Sequence, residues 1–286
     1  MGWPITPGFE TSGVVIATGK KVSHLRVGDN VVGITLFGGY TTHIKLPEHQ
    51  AYKLPEGFDM SLAAAFPSTY MTAYHALYQQ FVVRDNMKFL IHSAAGGVGG
   101  ALVQLSKILN CSTVGIIGRP DKAEYLKSIG CDHVLCKSEI DWAEEARKIS
   151  PDGYSAVFDA NGASTLRNSF DLLGSTGKLV SYGFHSMLPK KGGRLNYFQL
   201  IKTYLQTPKF SPLEMTSKNR SLITFNLSFL FDKSEMIEEG MMFLIEAFST
   251  GKLAAPKISL YDFSDVAQAH KDIESGKTVG KLVLKM

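Results

Sequence analysis

Cysteine is scarce in this chain, and the three present, Cys111, Cys131 and Cys136, form neither a CxxC pair nor an even framework. A disulfide scaffold is therefore excluded, and reduced thiols in a cytoplasmic protein are the plain expectation. None of the eight histidines falls in an HExxH pattern or beside a cysteine pair, so no zinc ligand set is legible. There is no GxSxG elbow, which removes the familiar hydrolase signature. Charge of one sign is also lacking. The formal net charge is +4, and Lys20-Lys21 and Lys190-Lys191 are the only paired lysines, so nucleic acid is not an expected partner. Long apolar runs are absent too. "LITFNLSFLF" is interrupted by Asn226 and Ser228 and falls short of the roughly 18 residues of a membrane span.

What is present is the composition of a globular protein, 44% apolar and 20% charged over 286 residues. Up to Gly57 the pattern reads as strands and turns: "GVVIAT", "NVVGIT" and "YTTHIKL". "MSLAAAFPSTYMTAYHALYQQF" then reads as helix with a break at Pro67. From Lys88 strands and helices alternate. "KFLIHS", "STVGIIG", "HVLC", "YSAVFDA" and "KLVSYGF" are strands, separated by the helices "GGALVQLSKIL", "DKAEYLKSIG", "DWAEEARKIS" and "TLRNSFDLLGS". That alternation argues for an α/β fold with a doubly wound parallel sheet covered on both faces. "YFQLIKTYL" and "SEMIEEGMMFLIEAFSTG" are further helices around the apolar strand "SLITFNLSFLF", and the tail reads strand, helix, strand.

The turn "IHSAAGGVGG" lies between the first strand of this alternation and its helix. Ala94-x-Gly96-x-x-Gly99 in that position approximates a dinucleotide fingerprint, with Ala94 replacing the first glycine. Bare N–H groups at the start of the helix, and its dipole, favour a pyrophosphate against Ala95, Gly96, Gly97 and Val98. A tight strand-to-helix turn wants the same residues with no ligand. About 20 residues beyond the glycines an acid would bind the adenosine ribose and select NAD. Here Gly118 and Arg119 occupy that place, with Lys122 nearby and Lys137 ending the following strand. Any of the three cations could be simply solvated, but a missing acid with bases at hand makes NADPH the expected cofactor.

"PGFETSGVV", "VGDNV", "STYMTAYHAL", "AAGGVGGALVQLSK" and "GKLVLKM" resemble the zinc-independent medium-chain dehydrogenase/reductases, the zeta-crystallin-like quinone oxidoreductases and related enoyl reductases among them. "TPKFSPLEMTSKNRSLITFNLSFLF" is similar to the vesicle amine transport protein homologues. The resemblance implies a Rossmann sheet inserted in a GroES-like β-rich catalytic domain. Residues 1–58 and 251–286 would form the catalytic domain and 59–250 the cofactor domain, with the active site in the cleft between them. It implies a quinone or enone as substrate, an enoyl thioester as the alternative, and a homodimer joined through the "SLITFNLSFLF" edge. A non-catalytic NADPH-binding interaction protein is the reading from a different class.

Where zinc-dependent members have His in a GHE motif, this chain has Phe9 in "GFE", so the resemblance implies no metal. It also implies an N-terminal truncation, because family members carry a stretch before "PGFE" that normally supplies an Asn and a Tyr to the cleft.

The resemblance implies Thr72, Phe225 and Asn226 as cofactor neighbours, where a helical polar residue and a buried strand are the plain alternatives. Ser181, Tyr182 and Gly183 end a strand, where open α/β sheets bind ligands, and Asn161 lies at another strand end. Asp159 reads as a cap on its turn and His92 as a satisfied core histidine. No catalytic acid stands out.

Overall fold

Short antiparallel strands open the chain because turns and glycines keep interrupting it. The computed structural model describes residues 4–184 and 197–286. Strands β1 (Glu10–Val14), β2 (Asn30–Ile34) and β3 (Ala51–Lys53) form one sheet in the order β1-β2-β3. The stretch 40–46, expected as a strand, is irregular. Its polar groups find scattered partners instead of a neighbouring strand: Tyr40 N donates to Pro7 O at 2.9 Å, and the Thr41 side-chain Oγ1 donates to His43 O at 2.8 Å.

Helix α1 (Met60–Ala65) starts on Asp59, whose carboxylate accepts from Ser61 N at 2.8 Å. Pro67 opens α2 (Pro67–Tyr74) from a first-turn position it tolerates, and Phe66 at the junction stays helical, so the break is slight. A π-helical turn, His75–Gln79, follows.

The alternation then runs β4 (Lys88–Ile91), α3 (Gly97–Ile108), β5 (Ser112–Ile117), α4 (Ala123–Ser128), β6 (His133–Cys136), α5 (Trp142–Ile149), β7 (Tyr154–Asp159), α6 (Leu166–Asp171) and β8 (Leu173–Ser181). Next come α7 (Tyr197–Gln206), α8 (Pro212–Lys218), β9 (Ser221–Thr224) and α9 (Ser234–Ser249). Strands β4 to β9 make one parallel six-stranded sheet, ordered β6-β5-β4-β7-β8-β9.

Both faces of the sheet are buried, and strand alternation divides the core. Phe89 and Ile91 pack with Leu102, Leu105, Met71 and Met241 on one face. Leu90 packs with Ala146, Leu166 and Phe170 on the other. Gly240 lets α9 close on α2, since a Cβ there would lie 2.4 Å from Met71 Sδ.

Two segments depart from expectation. Helix α8 has no counterpart in the sequence reading, although Pro212 at its first turn and Asn219 at φ 50° just beyond its end are recognisable boundary signals. "SLITFNLSFLF" is a strand only over Ser221–Thr224. Asn226 then accepts from Ser228 N at 3.1 Å and caps a single 3-10 turn. Among the described residues strand β9 pairs only with β8, so it is the sheet's edge, as the sequence suggested.

The tail forms β10 (Ile258–Asp262), α10 (Val266–Glu274) and β11 (Lys281–Lys285), the two strands pairing in parallel. It returns to the N-terminal strands through Lys281, which is ion-paired with Glu10. It does not pair with β1–β3. A cavity of about 1610 Å³ lies between them, with Val14, Ile16, Leu46, Leu260, Leu282 and Leu284 among its lining.

Candidate functional site

All six strands of the parallel sheet point the same way, so their C-terminal ends share one rim, where open α/β sheets bind ligands. Along the sheet order that rim carries Lys137 after β6, Gly118 and Arg119 after β5, and Ala95–Val98 after β4. Asn161 follows β7, Ser181 to Gly183 end β8, and Phe225 and Asn226 follow β9. The connections reverse direction between β4 and β7, which puts the glycine turn beside the switch point. At about 4.8 Å per strand, the six cover roughly 24 Å, room for an extended dinucleotide.

The glycines of the turn have different reasons to be there. A Cβ on Gly99 would lie 2.5 Å from both Ala94 Cα and Ser93 O, so Gly99 serves the close packing of helix on strand. A Cβ on Gly97 would meet Thr69 Cγ2 at 2.7 Å and Lys281 Cδ at 3.2 Å. Gly96 is exposed and extended (φ −82°, ψ 175°), and a Cβ there would meet only Ser93 O, at 3.2 Å. Of the three, Gly96 leaves backbone open to a ligand. The tail closes one side of this opening: Gly280 N donates to Ala95 O at 3.3 Å, bridging Gly280 to Gly96. Glu10 ties the arrangement together, accepting from Ser68 N at 2.7 Å while paired with Lys281.

The basic group at the end of β5 is partly engaged. Arg119 holds Asp121 through Nε at 2.9 Å and Nη2 at 3.2 Å, which raises the guanidinium's pKa and lowers the carboxyl's. Lys122 Nζ donates to Gly276 O at 2.7 Å and Thr278 O at 2.9 Å, and burial lowers its pKa. It is thereby tied to the tail. Lys137 stays beside Gly118, its Cε 3.6 Å from where a Cβ would stand on that glycine.

On the other side of the switch point, Phe225 packs on Tyr182 (ring centroids 6.3 Å) and edge-on to His75 (4.7 Å). Burial, with the charge of Asp159, pushes the Tyr182 phenol up, so it stays protonated at neutral pH. Ser181 Oγ is buried and has no hydrogen-bond partner among the described residues. Gly183 runs against Ala160, a Cβ there meeting Ala160 O at 3.0 Å. Thr72 Oγ1 donates to Ser68 O at 2.7 Å, and Asn226 is spent on its cap. Thr69, one turn before Thr72, is the α2 residue that touches the glycine turn. The i, i+3 spacing of the two threonines is the signal that could have found it, whereas Lys281 lay within the stretch "GKLVLKM" with no role assigned to it.

Asp159 caps its turn, Oδ1 accepting from Asn161 N at 2.8 Å and Gly162 N at 3.1 Å. His92 is buried with Ser169 Oγ 2.9 Å from its Nε2. All three cysteines are free and buried. Among the described residues, no three His, Cys, Asp or Glu side chains gather as a metal site would require, and no helix is long and apolar enough to cross a membrane.

Comparisons with known proteins agree with this architecture. Residues 129–284 match a family described as zinc-binding dehydrogenase, and residues 1–56 match the alcohol dehydrogenase GroES-like domain. The chain belongs to the medium-chain dehydrogenase/reductases, among the zinc-independent, quinone oxidoreductase-like members on the VAT-1 branch.

The synaptic vesicle membrane protein VAT-1 homolog of Danio rerio is 34% identical over 281 residues, 98% of this chain and 58% of the relative. The Homo sapiens homolog is 33% identical, over 98% of this chain and 71% of its own length. Among solved structures, the human VAT-1 homolog-like protein has a TM-score of 0.84 at 27% identity, over 100% of this chain and 81% of that one. Escherichia coli quinone oxidoreductase complexed with NADPH has a TM-score of 0.85 at 25% identity, over 99% and 83%.

Proposed function

We propose that the protein is an NADPH-dependent reductase of quinones or α,β-unsaturated carbonyl compounds. The observation that carries this reading is the open backbone at Gly96, beside the switch point of a parallel sheet whose β5 end bears Arg119 rather than an acid. Two features fit a dinucleotide: a glycine face that a Cβ would begin to fill, and a buried Ser181 Oγ on the same rim with no partner among the described residues. Ala95, Gly96, Gly97 and Val98 would meet the diphosphate, and Arg119 and Lys137 the 2′-phosphate. Ser181, Tyr182, Gly183, Asn161, Thr72 and Phe225 would line the remainder. The bound cofactor would supply the hydride.

The residues' part in this chemistry is positional. Phe225 and Tyr182 are packed aromatic surface that limits water. Among the described residues no rim side chain is set up as an acid, and we propose that water delivers the proton to the reduced product.

The quinone oxidoreductase neighbours support a quinone, and an enoyl reductase from the CurK protein, TM-score 0.80 at 26% identity, keeps an enoyl thioester in view. NADPH oxidation with an ortho-quinone, a simple enone and a crotonyl thioester separates the two. Turnover with the quinone or enone supports the proposal, and turnover with the thioester alone moves it to the alternative. Tight NADPH binding with no turnover of any of them makes the protein a non-catalytic NADPH-binding interaction protein.

We read residues 1–58 and 251–286 as the catalytic part around a cofactor domain at 59–250, and the free buried thiols as suited to the cytoplasm. The outer edge of β9 has no partner among the described residues, and we propose that a second copy covers it. Light scattering at micromolar concentration is expected to give a dimer's mass; monomer alone would refute that interface.

A further inference from the structure

A buried chain of hydrogen bonds runs from the glycine turn into the protein, and its direction can be assigned. Asp159 Oδ2 accepts from Ser169 Oγ at 2.8 Å and from Thr165 Oγ1 at 2.7 Å. A carboxylate only accepts, so the single hydroxyl proton of Ser169 is committed to it. Ser169 Oγ must then accept from His92, whose Nε2 is 2.9 Å away. His92 is therefore the Nε2–H tautomer, and its bare Nδ1 accepts from Asn161 Nδ2 at 3.4 Å. That sets the Asn161 amide with its oxygen outward, where it accepts from Ser93 Oγ at 3.1 Å. Ser93 is exposed and held at φ 52°, three residues before Gly96.

We infer that His92, Ser169 and Asp159 are positioning residues that lock the amide polarity of Asn161 for cofactor binding. This rests on the NADPH reading above. Asn161 then offers the rim its carbonyl face, shared with Ser93, and its second N–H. A flipped amide would aim N–H at both the Ser93 hydroxyl and the cofactor side.

The lock holds while His92 is neutral. A protonated ring would turn an N–H toward the Asn161 NH2, two donors face to face. Asp159, 3.8 Å from Nε2, favours the charged ring, whereas burial and the Lys137 charge oppose it, and burial is the largest influence. Trp142 closes the remaining side edge-on, its ring 4.8 Å from the imidazole. His92 and Ser169 have nearly no solvent exposure, so neither touches a ligand directly.

The test is a double-mutant cycle read by NADPH titration of the full chain. His92→Phe and Asn161→Ala are each expected to weaken binding on the order of three- to tenfold, the size of a lost neutral hydrogen bond. Their combination should be no weaker than Asn161→Ala alone, because both remove one oriented amide. Losses that multiply, or an Asn161→Ala variant that binds as wild type, overturn the inference while leaving the functional reading standing. A wild-type protein that does not bind NADPH sinks the functional reading and, with it, the cofactor role inferred here. Should His92→Phe fail to fold, nitrogen NMR of the wild-type histidines decides the lock by itself. A neutral ring protonated at Nε2 is expected, and a proton on Nδ1 refutes it.

Discussion

Gly99→Ala is expected to lower the melting temperature by roughly 5–10 °C, the largest stability loss of any single methyl in the glycine turn. The added Cβ would stand 2.5 Å from Ala94 Cα and Ser93 O and 2.8 Å from Ala94 C, all of them backbone. No rotamer change relieves such a contact, so strand β4 and helix α3 must separate. Overpacking costs about 1–3 kcal/mol where side chains can adjust, and here they cannot. Alanine's better helix propensity is worth at most about 1 kcal/mol in the other direction, so the clash decides the sign.

Gly100→Ala is the matched control. Its Cβ would meet Tyr125 Oη at 3.3 Å and Ile129 Cδ1 at 3.5 Å, side-chain ends that can give way, so its melting temperature is expected near wild type. Equal melting of all three proteins, followed by circular dichroism, would remove the packing role assigned to Gly99.

Arg119→Ala is expected to weaken NADPH binding at least several-fold while NADH binding hardly moves. The guanidinium is already held by Asp121 in a two-pronged pair, so a 2′-phosphate would compete with that carboxylate for the same face. Asp121→Asn should accordingly tighten NADPH. Lys122→Ala should matter less than Arg119→Ala, since Lys122 spends its ammonium on the carbonyls of Gly276 and Thr278. Parallel fluorescence titrations with the two cofactors check these expectations. Equal loss for both cofactors on Arg119→Ala would take Arg119 out of the site.

The alternation of strands and helices from Lys88 to Ser181 was legible because each element carries its own period and boundary residues, such as Gly130 at φ 93° after α4. The same local signals identified Asp159 as a cap, and cysteine count and spacing pointed to free thiols. Local pattern carries no strand order, so the common rim that gathers Lys137, Arg119, Gly96, Asn161 and Ser181 appears only in the fold.

Residues 40–46 alternate like a strand but lack a neighbour, and a strand is defined by its partner. Lys281 and Glu10 are 271 positions apart, and neither has a local feature that announces the other. The fingerprint itself was ambiguous in sequence for a physical reason: a glycine required by packing reads the same as one required by a ligand. The geometry separates them: a Cβ on Gly99 would stand 2.5 Å from backbone, whereas one on the exposed Gly96 would meet only Ser93 O, at 3.2 Å.

That separation makes one measurement decisive: NADPH titration of wild type and Gly96→Val, alongside their melting curves. The extended backbone at Gly96 suits a β-branched residue, and its Cβ would press on Ser93 O at 3.2 Å, a contact relieved by a small shift of that carbonyl. The variant should therefore still fold, with a melting temperature somewhat below wild type. The account predicts that wild type binds NADPH saturably and that Gly96→Val, though folded, does not. A folded Gly96→Val that binds NADPH as well as wild type would contradict it.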